Sequence, residues 1–220
     1  MKGSGWVLVA ALVTALGCSG GGGGALPAGA PPLPPAPGPE EVAAMRAEKD
    51  RSYKEDEESP IPPELRESFA GLSYYPYDPQ WRMLVHLDRY LDPIPFVITT
   101  TGGVERPAVK VGRIRFERDG ETYTLNVYTL RDLPAEAWNS LFLPFMDATT
   151  GRETYPAGRY VELAKVRDDW YVLDFNLSYN PLCAYGRTIY RCPATPAENR
   201  LPIAVRAGEK GYGLHGGESR

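Results

Sequence analysis

"GRIRFERDGETYTLNVYTL" (Gly112–Leu130) decides the fold class. Ile114 and Phe116 share one face of the first run, and Tyr123, Leu125 and Val127 alternate on the return. That period of 2 is the signature of a half-buried strand. Asp119-Gly120 stands between the runs. A type I′ turn needs positive φ at both central residues, which Asp tolerates and Gly adopts freely, and its twist matches that of paired strands. The stretch therefore reads as an antiparallel hairpin.

Outward from the hairpin, "LFLPF" (Leu141–Phe145) and "GRYVELAKV" (Gly158–Val166) read as short strands, and Asp168-Asp169 turns the chain into "WYVLDFNL" (Trp170–Leu177). In this last run Tyr171, Leu173, Phe175 and Leu177 fall on the face that should line the core. Trp170, Val172, Asp174 and Asn176 fall on the other. Signals of this kind number about six to eight, with no internal repeat, so the expectation is a mainly β (β-rich α+β) domain, a small antiparallel barrel or sandwich. Upstream, Glu40–Glu58 is charged and helix-forming, with Val42, Met45 and Lys49 at helical spacing. Its apolar stripe is thin, which predicts a helix lying on the domain. Pro60, Pro62 and Pro63 break it, and Glu64–Phe69 restarts a short helix. Residues 40–220 thus form one domain with a helical N-terminal segment over 40–70.

The first residues have another texture. "MKGSGWVLVAALVTALGCSG" carries one charge at Lys2, then an apolar run from Trp6 to Leu16, too short for a bilayer span and suited to a signal peptide over 1–17. Ala15-Leu16-Gly17-Cys18 resembles the bacterial lipobox, whose cysteine receives a diacylglycerol. The leucine usual three places before the cysteine is here Ala15. An ordinary cleaved signal, and so a secreted soluble protein, is the alternative. Residues 18–39 are rich in Gly and Pro and read as a tether, flexible and then extended. The expected place is the bacterial cell envelope, outer membrane or periplasmic face, with the membrane reached through an N-terminal lipid anchor.

The 220 residues are 43% hydrophobic, enough for one core, and the net charge of −4 excludes nucleic acid as a main partner. No cofactor is expected: "GYGLHG" (Gly211–Gly216) satisfies G-x-G-x-x-G only in letters, with no helix to follow. The basic residues Lys110, Arg113, Arg115 and Arg118 alternate with acids and read as a solvated strand face.

Candidate chemistry gathers late in the chain. Asp174 and Asn176 emerge side by side near a strand end, where they can orient a ligand or bond loop backbone. Glu209 and Lys210 follow "LPIAVRA"; adjacent strand residues face opposite ways, so one can point inward, and a lysine reaching Asp174 would make a paired polar centre.

"FMDATTGRETYPAGRYVEL", "LDFNLSYNPLCAYGRTIYRCPATPAENRLPIAVRAGEK" and "GLSYYPYDPQWRM" together resemble the uncharacterised family catalogued as domain of unknown function 1684. The resemblance covers most of Glu40–Lys210; Ser178 and Leu182 depart from it, where alanine and proline are common. It implies homology and leaves the chemistry open.

Cys183 and Cys192 remain once Cys18 is set apart. Export favours a disulfide between them. Zinc lacks ligands, since His86 and His215 are distant in sequence, so no metal is expected. A reactive Cys183 needs a base or a positive field, and free buried thiols complete the alternatives. The candidate ligand or active site comprises Arg159, Asp174, Asn176, Tyr179 and Asn180, with Cys183, Tyr185, Asn199, Glu209 and Lys210. It suits a small polar or carbohydrate-like ligand. An enzyme on the same site, hydrolase or transferase using its Asp, Asn and Lys groups, would have Asp174 or Glu209 as base, with or without Cys183 as nucleophile. A purely structural envelope protein is the third reading.

Overall fold

The computed structural model describes residues 29–134 and 140–213. Its centre is the hairpin: β2 (Glu105–Arg118) pairs antiparallel with β3 (Glu121–Leu130), from Arg118↔Glu121 to Ala108↔Leu130. The connecting Asp119 (φ 53°) and Gly120 (φ 81°) both take positive φ, as a type I′ turn demands. Ile114, Phe116, Leu125 and Val127 enter the main core.

Around it lie β1 (Arg82–Thr99), β6 (Leu163–Arg167) and β7 (Trp170–Asp174). The five strands form one sheet in the order β3-β2-β1-β7-β6, every neighbour antiparallel. β4 (Pro144–Phe145) and β5 (Arg159–Tyr160) form a separate two-stranded sheet. The large sheet ends at β3 and β6, so the described residues form no closed barrel, and the β-rich fold is sandwich-like. β1 spans 18 residues because two partners use it: β2 along most of its length, β7 only over Arg82–His86. The β1–β2 register shifts between Arg89 and Ile94, next to Pro93 and Pro95, which have no N–H to give a ladder.

Phe175 anchors the core. Its ring meets Trp81, Phe116 and Phe145 edge-on at centroid distances of 5.6, 5.5 and 5.0 Å. The strand predicted to run to Leu177 stops at Asp174, whose carboxylate accepts the Asn176 N–H at 3.0 Å and opens a 3-10 turn over Phe175–Leu177. That turn keeps Phe175 buried and brings Leu177 to the surface, 38% exposed, off the core face expected for it. Asp168 (φ 44°) and Asp169 make the β6–β7 turn.

Helix α1 (Pro39–Glu55) lies on the domain, but not by the stripe its spacing suggests. Met45 is 50% exposed, and Val42 is the buried apolar residue. The docked face continues through Arg46, Lys49, Asp50 and Tyr53, one helical surface that is mostly polar. Arg46 donates to the Tyr75 carbonyl at 3.1 Å and lies over the Tyr74 ring; the Leu72 N–H donates to Asp50 at 3.0 Å. The following helical turn, α2, is Pro63–Arg66. Part of the proline-rich segment also touches the domain, where Arg82 donates to the Pro34 and Pro35 carbonyls at 2.8 and 3.0 Å. Cys18 and residues 1–17, where a signal peptide is expected, lie outside the described residues.

Candidate functional site

The segment Leu201–Lys210 forms no strand and must satisfy its backbone elsewhere. Arg159 does much of this from β5. Its guanidinium donates to the carbonyls of Ala207 (2.6 Å), Val205 (2.8 Å) and Glu209 (3.1 Å), and to Ser178 Oγ and Asp147 Oδ2 (both 3.3 Å). Burial lowers the Arg159 pKa, against the pull of Asp147. Asp147 in turn accepts the Val205 N–H at 2.7 Å and the hydroxyls of Thr149 and Thr150 at 2.7 and 3.0 Å. Gly208 (φ +76°) lets the segment pass close to the 3-10 turn: a Cβ there would sit 2.6 Å from the Phe175 carbonyl and against Ser178 Oγ.

This clamp delivers Glu209 into the interior. The residue bridges Tyr74 backbone to backbone and is fully buried. Its Oε1 accepts from Asn180 Nδ2 (2.9 Å) and from the Tyr185 hydroxyl; its Oε2 accepts from Lys49 Nζ at 2.8 Å. A buried carboxylate needs a cation and filled lone pairs, and this one has both. The cation comes from α1. Lys49 Nζ also lies 5.1, 5.5 and 5.9 Å from the ring centroids of Tyr53, Tyr179 and Tyr185, within cation–π range of all three. Its side chain keeps 26% of its surface exposed, so the centre adjoins solvent at this point.

Three polar atoms here have no protein partner although buried: Asn180 Oδ1 and Tyr74 Oη, and Arg159 Nε beneath them. The first belongs to the amide that donates to Glu209. Burial raises the phenol pKa of Tyr74, Tyr53 and Tyr185, and the Glu209 charge adds to each shift. These tyrosines stay neutral at physiological pH and act as hydrogen-bonding and π surfaces.

The ten side chains expected together thus fall into separate groups. Glu209, Asn180, Tyr185 and Tyr179 meet around Lys49, with Arg159 beneath. Tyr179 also donates to Glu162 at 2.6 Å. Asp174 and Asn176 bond protein: Asn176 accepts the Asp78 N–H at 2.9 Å and donates to the Asp78 carbonyl at 2.8 Å and to Asp174 at 3.0 Å. This ties the 3-10 turn to the loop before β1, the loop-bonding role of the two readings their sequence allowed. Arg82 Nε lies 3.5 Å from Asp174, and Lys210 is elsewhere, with its Nζ 4.8 Å from the Tyr75 ring centroid. Asn199 donates to the Asn126 and Pro144 carbonyls, both at 2.8 Å, and accepts the Asn126 N–H at 2.8 Å, joining β3 to β4.

Cys183 and Cys192 form a disulfide with Cα atoms 6.0 Å apart. Bonded, Cys183 offers no thiolate. The bridge closes the loop that carries Tyr185. Among the described residues no group of three His, Cys, Asp or Glu side chains is placed to hold a metal ion.

Sequence reasoning missed Lys49, Tyr53 and Tyr74. The signal was present as Arg46, Lys49, Asp50 and Tyr53 on one helical face, a polar pattern that a search for an apolar stripe passes over.

Comparison with curated proteins finds no match. Among solved structures, the chain is similar to the solution NMR structure of an uncharacterized protein of Haloarcula marismortui. The two are 39% identical, the match covers 78% of this chain and 92% of that one, and the TM-score is 0.58. Residues 67–210, which include Glu209, Asn180, Tyr179 and Tyr185, match the model of the family described as Protein of unknown function (DUF1684), and the chain belongs to that family.

Proposed function

We propose that this chain is an exported, lipid-anchored envelope protein whose Glu209 centre binds a small polar or carbohydrate-like ligand. The observation that carries the binding reading is the pair of buried, unpartnered atoms at a charged, tyrosine-rich centre, Asn180 Oδ1 and Tyr74 Oη. An acceptor and a hydroxyl left unpaired in the interior cost free energy unless another molecule meets them. Neutral phenols and an amide around a carboxylate suit hydroxyl-bearing ligands. Of the enzymatic alternatives, the disulfide removes the route that needs Cys183 as nucleophile and leaves the one that uses a carboxylate base alone. The anchor rests on the leader, Cys18 and the Gly/Pro-rich residues after it.

The binding test is calorimetric titration with a panel of monosaccharides, amino sugars and polyols, on the wild type and on Tyr74→Phe, which removes the unpartnered hydroxyl and keeps the ring. The wild type should bind at least one member, and the variant should bind it at least tenfold more weakly, since a good hydrogen bond is worth about that factor. A panel with no binder rejects the reading. For the anchor, radiolabelled palmitate should enter the wild type in cells and not Cys18→Ser.

A further inference from the structure

We infer that the Glu209 centre selects a ligand bearing an ammonium group, and that Lys49 is its built-in occupant. This deepens the binding role proposed above and rests on it. Three neutral tyrosine rings and one buried carboxylate surround Lys49 Nζ, with the carboxylate oxygen at 2.8 Å and the centroids at 5.1–5.9 Å. Carboxylate plus aromatic walls is how proteins recognise organic cations: the charge is neutralised, and the ring faces replace the water stripped from the ammonium. A neutral sugar or polyol that displaced Lys49 would leave Glu209 buried with no counter-charge, a large penalty. Whatever replaces the Lys49 ammonium at the carboxylate must therefore be a cation.

Lys49 meets that need incompletely. It brings three donors and no acceptor, so it can satisfy a carboxylate but gives the Tyr74 hydroxyl nothing to donate to. A ligand that carries an ammonium together with a hydroxyl or carbonyl would fill Glu209, the spare Asn180 acceptor and the spare Tyr74 donor at once. Amino sugars and amino alcohols are of this class.

Lys49 is also built to leave. Its side chain is 26% exposed on a long unbranched stem, so the ammonium has a path to solvent once another cation meets Glu209. The helix that carries it buries Val42, packs Tyr53 edge-on against Tyr185, and makes polar contacts through Arg46 and Asp50. Lys49 and Tyr53 precede residues 67–210, the segment that matches the family and supplies Glu209, Asn180, Tyr179 and Tyr185. The helix α1 thus supplies both the resident ammonium and the Tyr53 wall, and the family segment supplies the carboxylate and the remaining walls.

The test uses the full chain, propylammonium chloride as probe, and sodium chloride and propanediol as controls at matched concentration. Nitrogen–proton correlation spectra of the wild type should show the Asn180 and Glu209 amides shifting with propylammonium and with neither control. In Lys49→Ala the apparent Kd should tighten roughly tenfold, because the resident competitor is gone, and adding Glu209→Gln should abolish the response. If Lys49→Ala fails to fold, the wild-type spectra still decide. Equal shifts with sodium chloride, or an unchanged Kd in Lys49→Ala, overturn the inference. If propanediol moves these amides and propylammonium does not, the ammonium class is wrong and the binding role stands. If neither probe moves them and the sugar panel has no binder, both fall.

Discussion

Replacing Arg159 tests whether this residue belongs to the architecture or to the ligand. In Arg159→Met the side-chain stem remains and the charge and its donors go. Asp147 then keeps a fully buried carboxylate without its cation, and the carbonyls of Val205, Ala207 and Glu209 lose a donor each. Breaking a buried ion pair from one side costs about 3–5 kcal/mol. A stranded buried carbonyl costs about 1–3 kcal/mol. The terms share one cavity and do not add in full, so a loss of roughly 5 kcal/mol or more is expected, against a domain stability of about 5–15 kcal/mol. Urea unfolding followed by the fluorescence of Trp81 and Trp170, both buried, measures this. Arg159→Lys keeps the charge without the planar fork and should lose about half as much. Asp147→Asn in the Arg159→Met background should recover part of the loss, because it removes the unpaired charge. A loss below about 2 kcal/mol in Arg159→Met would refute the reasoning, since the clamp would then not be holding the C-terminal segment.

Three further outcomes are expected. Tyr128, Tyr160 and Tyr185 are buried and have phenol pKa values raised above the ordinary 10.0, first by burial. Their stabilising contribution is complete below pH 10 and is lost as pH rises through that value, because the unfolded chain ionises first. By about pH 11 each removes about 1.4 kcal/mol, or about 4 kcal/mol together. Tyrosinate absorbance and near-UV circular dichroism should therefore change in one cooperative step; a smooth titration with an intact dichroism spectrum contradicts this. Cys183→Ala/Cys192→Ala should cost about 2.5–3 kcal/mol by loop entropy for a separation of 9, and the wild type, unfolded without reductant and alkylated, should carry no label at either position. Gly208→Ala forces a side chain into positive φ and against the Phe175 carbonyl, and should cost about 2–4 kcal/mol in a thermal melt.

The strand content was open to reading because alternation and turn chemistry are local. Asp119-Gly120 and Asp168-Asp169 turn the chain where their φ preferences say they should, and Ile114, Phe116, Leu125 and Val127 bury as their period requires. The reading went astray where a side chain competes with the backbone pattern. Alternation carried "WYVLDFNL" to Leu177, but the Asp174 carboxylate captures the Asn176 N–H and ends the strand three residues early.

The candidate site was legible by residue type and not by arrangement. Glu209, Asn180 and Tyr185 could be named from their motif, yet nothing local says that 24 residues separate a hydroxyl from the carboxylate it meets. Asp174 and Lys210 seemed a natural pair in sequence; Arg82 stands at Asp174, because the β1–β7 register sets Arg82 opposite it.

By itself the sequence determined what depends on near neighbours: the hairpin, the helix over the first charged segment, the β-rich class, and the pair of cysteines nine residues apart. Only the tertiary structure decided which cation a buried acid receives. Lys49 stands 160 positions from Glu209, and their meeting follows from the docking of α1 and from the Arg159 clamp on the C-terminal segment. A buried charge is satisfied by whatever the fold brings within about 3 Å, and that is a property of the packed chain and not of any stretch of it.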